Sequence, residues 1–135
     1  MKLVFDTSVV LAGIGWRGEA YQCLVMVARR RLIAYATAAT IAEAQAKAEE
    51  LAAAGRFPHD TKPMLDWYLA NVRPVEPAPL GKRRSRDAND DPILACALGA
   101  GAKIVTAYDK DLLDMGKPFG IEIIKPAELL RRLKV

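Results

Sequence analysis

The apolar residues of this chain follow two patterns, one typical of buried strands and one typical of helices. Short apolar runs rich in β-branched and aromatic residues predict strands that are covered on both faces. These runs are Lys2–Phe5, Leu32–Ala36, Val72–Glu76, Lys103–Thr106 and Ile121–Ile124. The third run contains Pro74, which favours a place at the edge of a sheet.

Between these runs, apolar residues recur at the three- and four-residue spacing of helices with one buried face. The predicted helices span Val9–Ile14, Glu19–Arg31, Ala38–Ala54, Lys62–Asn71, Asn89–Ala100, Asp111–Met115 and Ala127–Lys134. Strands that alternate with helices predict a three-layer α/β/α fold around a central, mostly parallel sheet of four to five strands. The length of 135 residues predicts a single domain over residues 1–135.

The composition is that of an ordinary globular protein, with 52% hydrophobic and 27% charged residues. No apolar run approaches the roughly 20 residues that a membrane-spanning helix needs. An acidic residue as early as Asp6 argues against a signal peptide. Cys23 and Cys96 lie in apolar helical patterns, which predicts buried thiols rather than a disulfide framework. We therefore expect a cytoplasmic protein without membrane contacts.

Basic residues outnumber acidic ones by 20 to 16, which gives a net charge of +4. This balance is compatible with a nucleic-acid partner but does not establish one. Arg29–Arg31 close a predicted helix, where they complement the negative end of its dipole. Arg131, Arg132 and Lys134 fit either a solvated helix face or a surface for a partner.

Several acidic residues lie where a strand ends or where a helix begins. They are Asp6, Glu43, Asp90, Asp91, Asp109 and Asp111. Because the carboxyl ends of parallel strands meet at one edge of a sheet, we expect Asp6 and Asp109 to lie close together. Most of these acids also have a purely structural explanation. Asp90, Asp91 and Asp111 could cap helices, Glu43 could be an exposed helix residue, and Asp6 could accept bonds from the N–H groups of a turn.

Carboxylates that are brought together repel one another, and a hard divalent cation with oxygen ligands is the usual compensation. Mg²⁺ or Mn²⁺ suits a few carboxylates plus waters, and such a cation activates water for attack on a phosphodiester. The lone His59 lies in a Pro-His-Asp turn, and neither it nor the cysteines are placed for a zinc site. The acids together predict metal-assisted phosphodiester hydrolysis.

These acidic segments resemble the PIN-domain family, metal-dependent nucleases that include the VapC-type toxins of bacterial and archaeal toxin–antitoxin pairs. The resemblance covers nearly the whole chain. It rests on Val4–Ser8, Glu43, Arg86–Ala95, Gly101–Leu113 and Ile123–Leu130. The Asp-Asp pair before the apolar helix looks like the branch of the family described as predicted nucleic-acid-binding PIN proteins.

The resemblance implies an acidic quartet around Mg²⁺ or Mn²⁺. Its members would be Asp6, Glu43, Asp91 and Asp109. Asp90 is an alternative to Asp91 as a metal ligand. Asp111 is implied as an outer contact, or as the alternative to Asp109.

The resemblance also implies supporting hydroxyls. Ser8 would steady the first acid and Thr106 the fourth. Two features depart from the family pattern. Ser8 stands where Asn is common, and Ala107-Tyr108 adds one residue before Asp109.

The implied activity is an Mg²⁺- or Mn²⁺-dependent endoribonuclease that cleaves single-stranded RNA, in the role of the toxin of a toxin–antitoxin pair. Arg83, Arg84 and Arg86 lie on a predicted loop next to Asp91 and could guide the phosphate backbone. A solvated charged loop explains the three arginines equally well. Since many VapC-type proteins form homodimers and bind an inhibitory antitoxin, the resemblance implies both kinds of partner.

Two other functions remain open. A PIN-like module that binds nucleic acid without catalysis would keep the same fold. An Asp-dependent phosphoryl-transfer domain also places Asp after its first strand, but the phosphatase pattern needs a second Asp where Ser8 stands. A dinucleotide-binding enzyme is disfavoured because no glycine-rich turn follows the first strand.

Overall fold

The structure, a computed structural model, describes residues 1–81 and 91–134. Its strands are β1 (Lys2–Phe5), β2 (Ile33–Ala36), β3 (Arg73–Pro74), β4 (Ile104–Thr106) and β5 (Glu122–Ile124). Within the described residues, these strands form one parallel sheet in the order β3-β2-β1-β4-β5. The predicted parallel sheet of four to five strands is therefore confirmed.

Helices cover both faces of this sheet. They are α1 (Thr7–Gly15), α2 (Glu19–Ala28), α3 (Ala38–Ala53), α4 (Lys62–Asn71), α5 (Asp91–Ala100), α6 (Lys110–Leu113) and α7 (Pro126–Leu133). Buried residues of α1 to α4 and α7 share one hydrophobic core, while those of α5 and α6 form a second core. The three-layer α/β/α architecture follows from these two cores.

The central strand β1 contributes to both cores. Leu3 and Phe5 pack into the first core and Val4 into the second, as expected for side chains that alternate across a strand. β1 runs parallel to β4, with Phe5 opposite Thr106. The residues that follow these two strands therefore leave the sheet at the same edge.

The sequence predicted a longer α2 than the structure shows. The helix ends at Ala28 rather than at Arg31, because Arg30 adopts a left-handed conformation with φ of 61°. The backbone N–H of Arg31 then donates to the carbonyl of Met26 at 2.9 Å, which turns the chain back towards β2. The three arginines thus form a turn instead of a charged last helical turn.

Two threonines, Thr37 and Thr40, cap the start of α3. The hydroxyl of Thr37 accepts from the backbone N–H of Thr40 at 3.1 Å, and the hydroxyl of Thr40 accepts from the N–H of Thr37 at 2.9 Å. This reciprocal arrangement is a capping box, which satisfies two backbone donors at the helix start. It fixes the direction in which α3 leaves the carboxyl edge of the sheet.

Both cysteine thiols are buried, as predicted, and neither forms a disulfide. Burial raises the pKa of Cys23 to about 12 and that of Cys96 to about 11, so both stay protonated and unreactive at neutral pH. Among the helices in the described ranges, none is both long and apolar enough to cross a membrane.

Candidate active site at the carboxyl edge of the sheet

Asp6 is held rigidly where β1 gives way to α1. It is the N-cap of α1, and its Oδ2 accepts from the backbone N–H of Ser8 at 3.3 Å and from the Ser8 hydroxyl at 2.6 Å. Its own backbone N–H donates to the carbonyl of Thr106 at 2.9 Å, which ties it to β4. Only 7% of Asp6 is exposed. Asp6 therefore caps α1 and is at the same time a candidate site residue.

The hydroxyl of Ser8 joins the two strand ends that form the site. While donating to Asp6, it accepts from the backbone N–H of Tyr108 at 3.2 Å. Tyr108 lies in the turn between β4 and α6, directly before Asp109. Ser8 thus performs the predicted steadying of Asp6 and also positions the segment that carries the second acid.

Asp109 occupies the corresponding place at the end of β4. It is the N-cap of α6, and its Oδ1 accepts from the backbone N–H of Asp111 at 2.9 Å. The sequence had left a capping role open for Asp111, but the structure gives that role to Asp109. Asp111 lies in the first turn of α6.

Asp6 and Asp109 affect each other electrostatically. Burial raises the pKa of Asp6 and the negative charge of Asp109 raises it further, although the hydrogen bonds from Ser8 oppose this shift. Within residues 1–81 and 91–134, neither carboxylate forms an ion pair with Lys or Arg. Two like charges are therefore held together without a cation from the described part of the chain.

Glu43 is connected to this pair through α1. It is half-buried on α3, and its Oε2 accepts from the hydroxyl of Thr7 at 3.1 Å. Because Thr7 follows Asp6 directly, the bond brings α3 and its acid to the start of α1. The sequence did not indicate this role for Thr7.

Asp91 begins α5 and is half-buried. It lines a cavity of about 380 Å³ together with Thr37 and Ala39, at the start of α3. The structure thus places Asp91 on the side of the site where α3 begins.

Four predicted site residues lie outside the described residues. They are Arg83, Arg84, Arg86 and Asp90. The choice between Asp90 and Asp91 as a ligand, and the role of the arginines, therefore stay predictions.

The role implied for Thr106 needs correction. Its side chain is fully buried, and its hydroxyl has no hydrogen-bond partner in the described part of the chain, so it does not steady Asp109. The physical reason is its place as the last residue of β4, enclosed between Phe5 on β1 and Ile124 on β5. Its contribution is the backbone carbonyl that accepts from the N–H of Asp6.

The donors at this edge fit a divalent cation that keeps most of its waters. Among the described residues, no group of three or more His, Cys, Asp or Glu side chains forms a complete metal cage. Mg²⁺, however, is usually held by one or two carboxylates plus waters. Asp6 and Asp109, which have no cationic partner among the described residues, provide hard oxygen donors of that kind. Asp6 and Asp109 would hold such a cation.

Comparison with known proteins agrees with this geometry. No curated protein matches the sequence significantly. The crystal structure of PAE2754 from Pyrobaculum aerophilum is similar in fold, with a TM-score of 0.66 and 22% sequence identity over 98% of this chain and 88% of that chain. The family model for the PIN domain matches residues 2–111. With its sheet, its two acidic strand ends and this match, the chain belongs to the PIN-domain family.

Proposed function

We propose that this chain is an Mg²⁺- or Mn²⁺-dependent endoribonuclease that hydrolyses phosphodiester bonds of single-stranded RNA. PIN domains are generally nuclease modules, which supports a hydrolase. The observation that carries the proposal is the pair formed by Asp6 and Asp109, two carboxylates held together at the carboxyl edge of the sheet. A pair maintained against its own repulsion indicates a ligand of positive charge.

In this proposal the acids have different tasks. Asp6 and Asp109 bind the cation, and the Ser8 hydroxyl keeps Asp6 oriented towards it. Glu43, restrained by Thr7, accepts a proton from the attacking water or orients it. When bound, the cation supplies stabilisation of the charge that develops on the phosphoryl oxygens and lowers the pKa of water.

The partners form the second part of the proposal. The net charge of +4 supports association with a polyanion, and the arginines at positions 83, 84 and 86 are the proposed contacts to the phosphate backbone. We further propose a homodimer and the role of the toxin in a toxin–antitoxin pair. Light scattering on the purified protein, alone and with the product of a neighbouring gene, tests both assemblies.

The decisive experiment measures cleavage of a labelled single-stranded RNA with Mn²⁺, with Mg²⁺ and with EDTA. Wild type is compared with Asp6→Asn, in which the amide keeps the helix cap but loses the charge. The matched control is Asp66→Asn, which removes the charge of an exposed carboxylate in an ion pair with Lys62 on α4. We expect metal-dependent cleavage that Asp6→Asn abolishes and Asp66→Asn leaves unchanged.

Mn²⁺ binding, measured by calorimetry on the same samples, separates the remaining explanations. A folded protein that binds Mn²⁺ and RNA but leaves the RNA intact would be a nucleic-acid-binding module without catalysis. A folded protein that binds no divalent cation would overturn the proposal, and the acids would then be helix caps only.

A further inference from the structure

Tyr108 is a large aromatic residue that remains exposed beside Asp6 and Asp109, the two carboxylates at the carboxyl edge of the sheet. Its exposed fraction is 41%, close to the 42% of Phe119, which precedes β5 at the opposite end of the sheet. Tyr108 differs from Phe119 in being adjacent to Asp109 and bonded to Ser8. This exposure leaves much of the Tyr108 side chain available to a ligand at the site.

The backbone of Tyr108 is fixed on both sides. The preceding residue, Ala107, is fully buried and donates its N–H to the carbonyl of Ile124 at 3.0 Å. The N–H of Tyr108 donates to the Ser8 hydroxyl at 3.2 Å, and the following residue caps α6. Its Cα therefore keeps a constant position relative to the carboxylate of Asp6.

Partial burial raises the pKa of the Tyr108 phenol, and the charge of Glu19 on α2 adds to this shift, so the phenol is uncharged at neutral pH. A tyrosine ring has only two side-chain torsions, so holding it in place costs little conformational entropy. The ring is thus a partly packed aromatic surface beside the site.

The charges around this surface restrict what it can bind. Asp109 follows Tyr108 directly in the chain, and the charge of Glu19 also acts on its phenol, so a phosphate group without a bound cation would be repelled there. A neutral, flat group would not be repelled, and unstacked nucleobases bind to aromatic side chains in this way. A phosphate held by the proposed cation at Asp6 and Asp109 brings the bases on either side of it close to the residues that adjoin these acids, of which Tyr108 is one.

We propose that Tyr108 stacks on the nucleobase of a nucleotide that flanks the scissile phosphate, and so positions single-stranded RNA for cleavage. This inference rests on the proposed ribonuclease function and assigns to that site its contact with the base. Stacking of one base on an aromatic residue changes affinity by roughly five- to 150-fold. Because every base has a flat face, the contact requires an unpaired base but selects weakly among the four bases.

The test uses a short single-stranded RNA with one cleavage site, together with two versions of it that lack the base on either side of that site. Steady-state cleavage is measured for wild type, Tyr108→Phe, Tyr108→Ala and the control Phe119→Ala. On intact RNA we expect Tyr108→Ala to raise KM about tenfold, with kcat changed less than twofold, while Tyr108→Phe and Phe119→Ala behave as wild type. On the abasic RNA that lacks the stacked base, wild type should already show the raised KM, and Tyr108→Ala should not raise that KM further.

Three results would overturn the inference. An equal loss by Tyr108→Ala on intact and abasic RNA would indicate a structural role. A loss by Tyr108→Phe as large as that by Tyr108→Ala would assign the effect to the hydroxyl rather than to the ring. No loss at all would exclude the contact.

The failure of the ribonuclease proposal is distinguishable from these results. If wild type cleaves none of the RNAs, affinity for the same three RNAs is measured by fluorescence anisotropy. A tenfold weaker binding of intact RNA by Tyr108→Ala alone would support the stacking contact in a protein that only binds RNA. Unchanged binding, or no binding by wild type, would overturn it.

Discussion

Acidic residues occupy two different environments in this protein. The edge carboxylates, Asp6 and Asp109, have hydroxyl and amide groups as neighbours and no cationic partner in the described ranges. Elsewhere in the molecule, an arginine network joins β5, an edge strand of the sheet, to α7. Its members are Glu122, Glu128, Arg131 and Arg132.

The two environments shift acidic pKa values in opposite directions. Arg132 donates two hydrogen bonds to Glu122, at 3.1 and 2.7 Å, and a third to Glu128 at 2.9 Å. These bonds lower the pKa of Glu122, and those from Arg131 and Arg132 lower the pKa of Glu128, whereas burial and Asp109 raise the pKa of Asp6. The acids of the arginine network have cationic partners within the chain, whereas Asp6 and Asp109 have none among the residues that the structure describes.

The largest expected effect comes from removing one charge of the edge pair. Asp109→Asn should lower the rate of RNA cleavage by about 100- to 1,000-fold, since it weakens the binding of the cation that stabilises the transition-state charge, and loss of such stabilisation commonly costs that much. Asparagine can still cap α6, so the variant should fold. Single-turnover cleavage checks this prediction, with Glu128→Gln from the arginine network as the variant that keeps full activity. Equal losses of cleavage rate in Asp109→Asn and Glu128→Gln would show that the two environments do not differ in function.

A smaller effect is expected from Ser8→Ala, which leaves the charges of Asp6 and Asp109 in place. The variant deletes a hydroxyl that lowers the pKa of Asp6, so that pKa should rise and protons should compete better with the cation. We expect Mn²⁺ affinity to fall about tenfold, as for loss of one hydrogen bond to a charged group. Since protonation is the cause, the loss should be larger at pH 5.5 than at pH 7.5 in calorimetric titrations. A loss independent of pH would assign Ser8 to backbone positioning alone.

The arginine network should affect stability and not activity. Arg132→Ala should lower Tm by about 3 °C, which is modest because these ion pairs are exposed to solvent. Glu122 and Glu128 have lowered pKa values when folded, so their contribution is present above the usual glutamate pKa of 4.5 and is lost as pH falls below it.

Calorimetric scans of Arg132→Ala and wild type should therefore converge at pH 3 and in 1 M NaCl, where exposed charges are screened. The control Lys62→Ala, which removes a single exposed pair with Asp66, should change Tm less. A large loss of RNA cleavage in Arg132→Ala would show that the network supports the site after all.

The smallest expected effect has the opposite sign. A carboxyl group whose pKa is raised in the folded state destabilises the protein above both pKa values, because the folded state then holds an unfavourable charge. Asp6→Asn should therefore raise Tm by about 1–2 °C at pH 7 without divalent cations. The difference should vanish at low pH, where Asp6 is protonated, and Mn²⁺ should stabilise wild type only. Destabilisation at pH 7 would mean that Asp6 serves chiefly as a helix cap.

Hydrophobic periodicity was sufficient to predict the layers of the fold and the bounds of α4, which lie at Lys62 and Asn71 as predicted. It overestimated β3, predicted from Val72 to Glu76 but observed only at Arg73–Pro74. Pro74 has no N–H to donate, so the ladder with β2 is short. The order of the strands was not predicted, because it depends on contacts between distant segments.

The candidate site was predictable where it depends on strand direction. Asp6 and Asp109 meet because β1 and β4 are parallel neighbours, and parallel strands place their carboxyl ends together. Thr7 was missed because its bond depends on how α1 packs against α3, and Tyr108 because its bond depends on the turn after β4. Arg131 and Arg132 are exposed, as expected for a solvated helix face. They also pair with acids of the same chain, Arg131 with Glu128 and Arg132 with Glu122.

The hydrogen bond from Tyr108 to Ser8 joins residues 100 positions apart in the chain. Contacts between such distant residues cost more loop-closure entropy than local contacts, because a long segment of chain must be closed. The two acids are therefore separated in any intermediate in which β1 and β4 are not yet paired. Recovery of cleavage during refolding would report the completion of the sheet, and a partly folded chain would leave RNA intact.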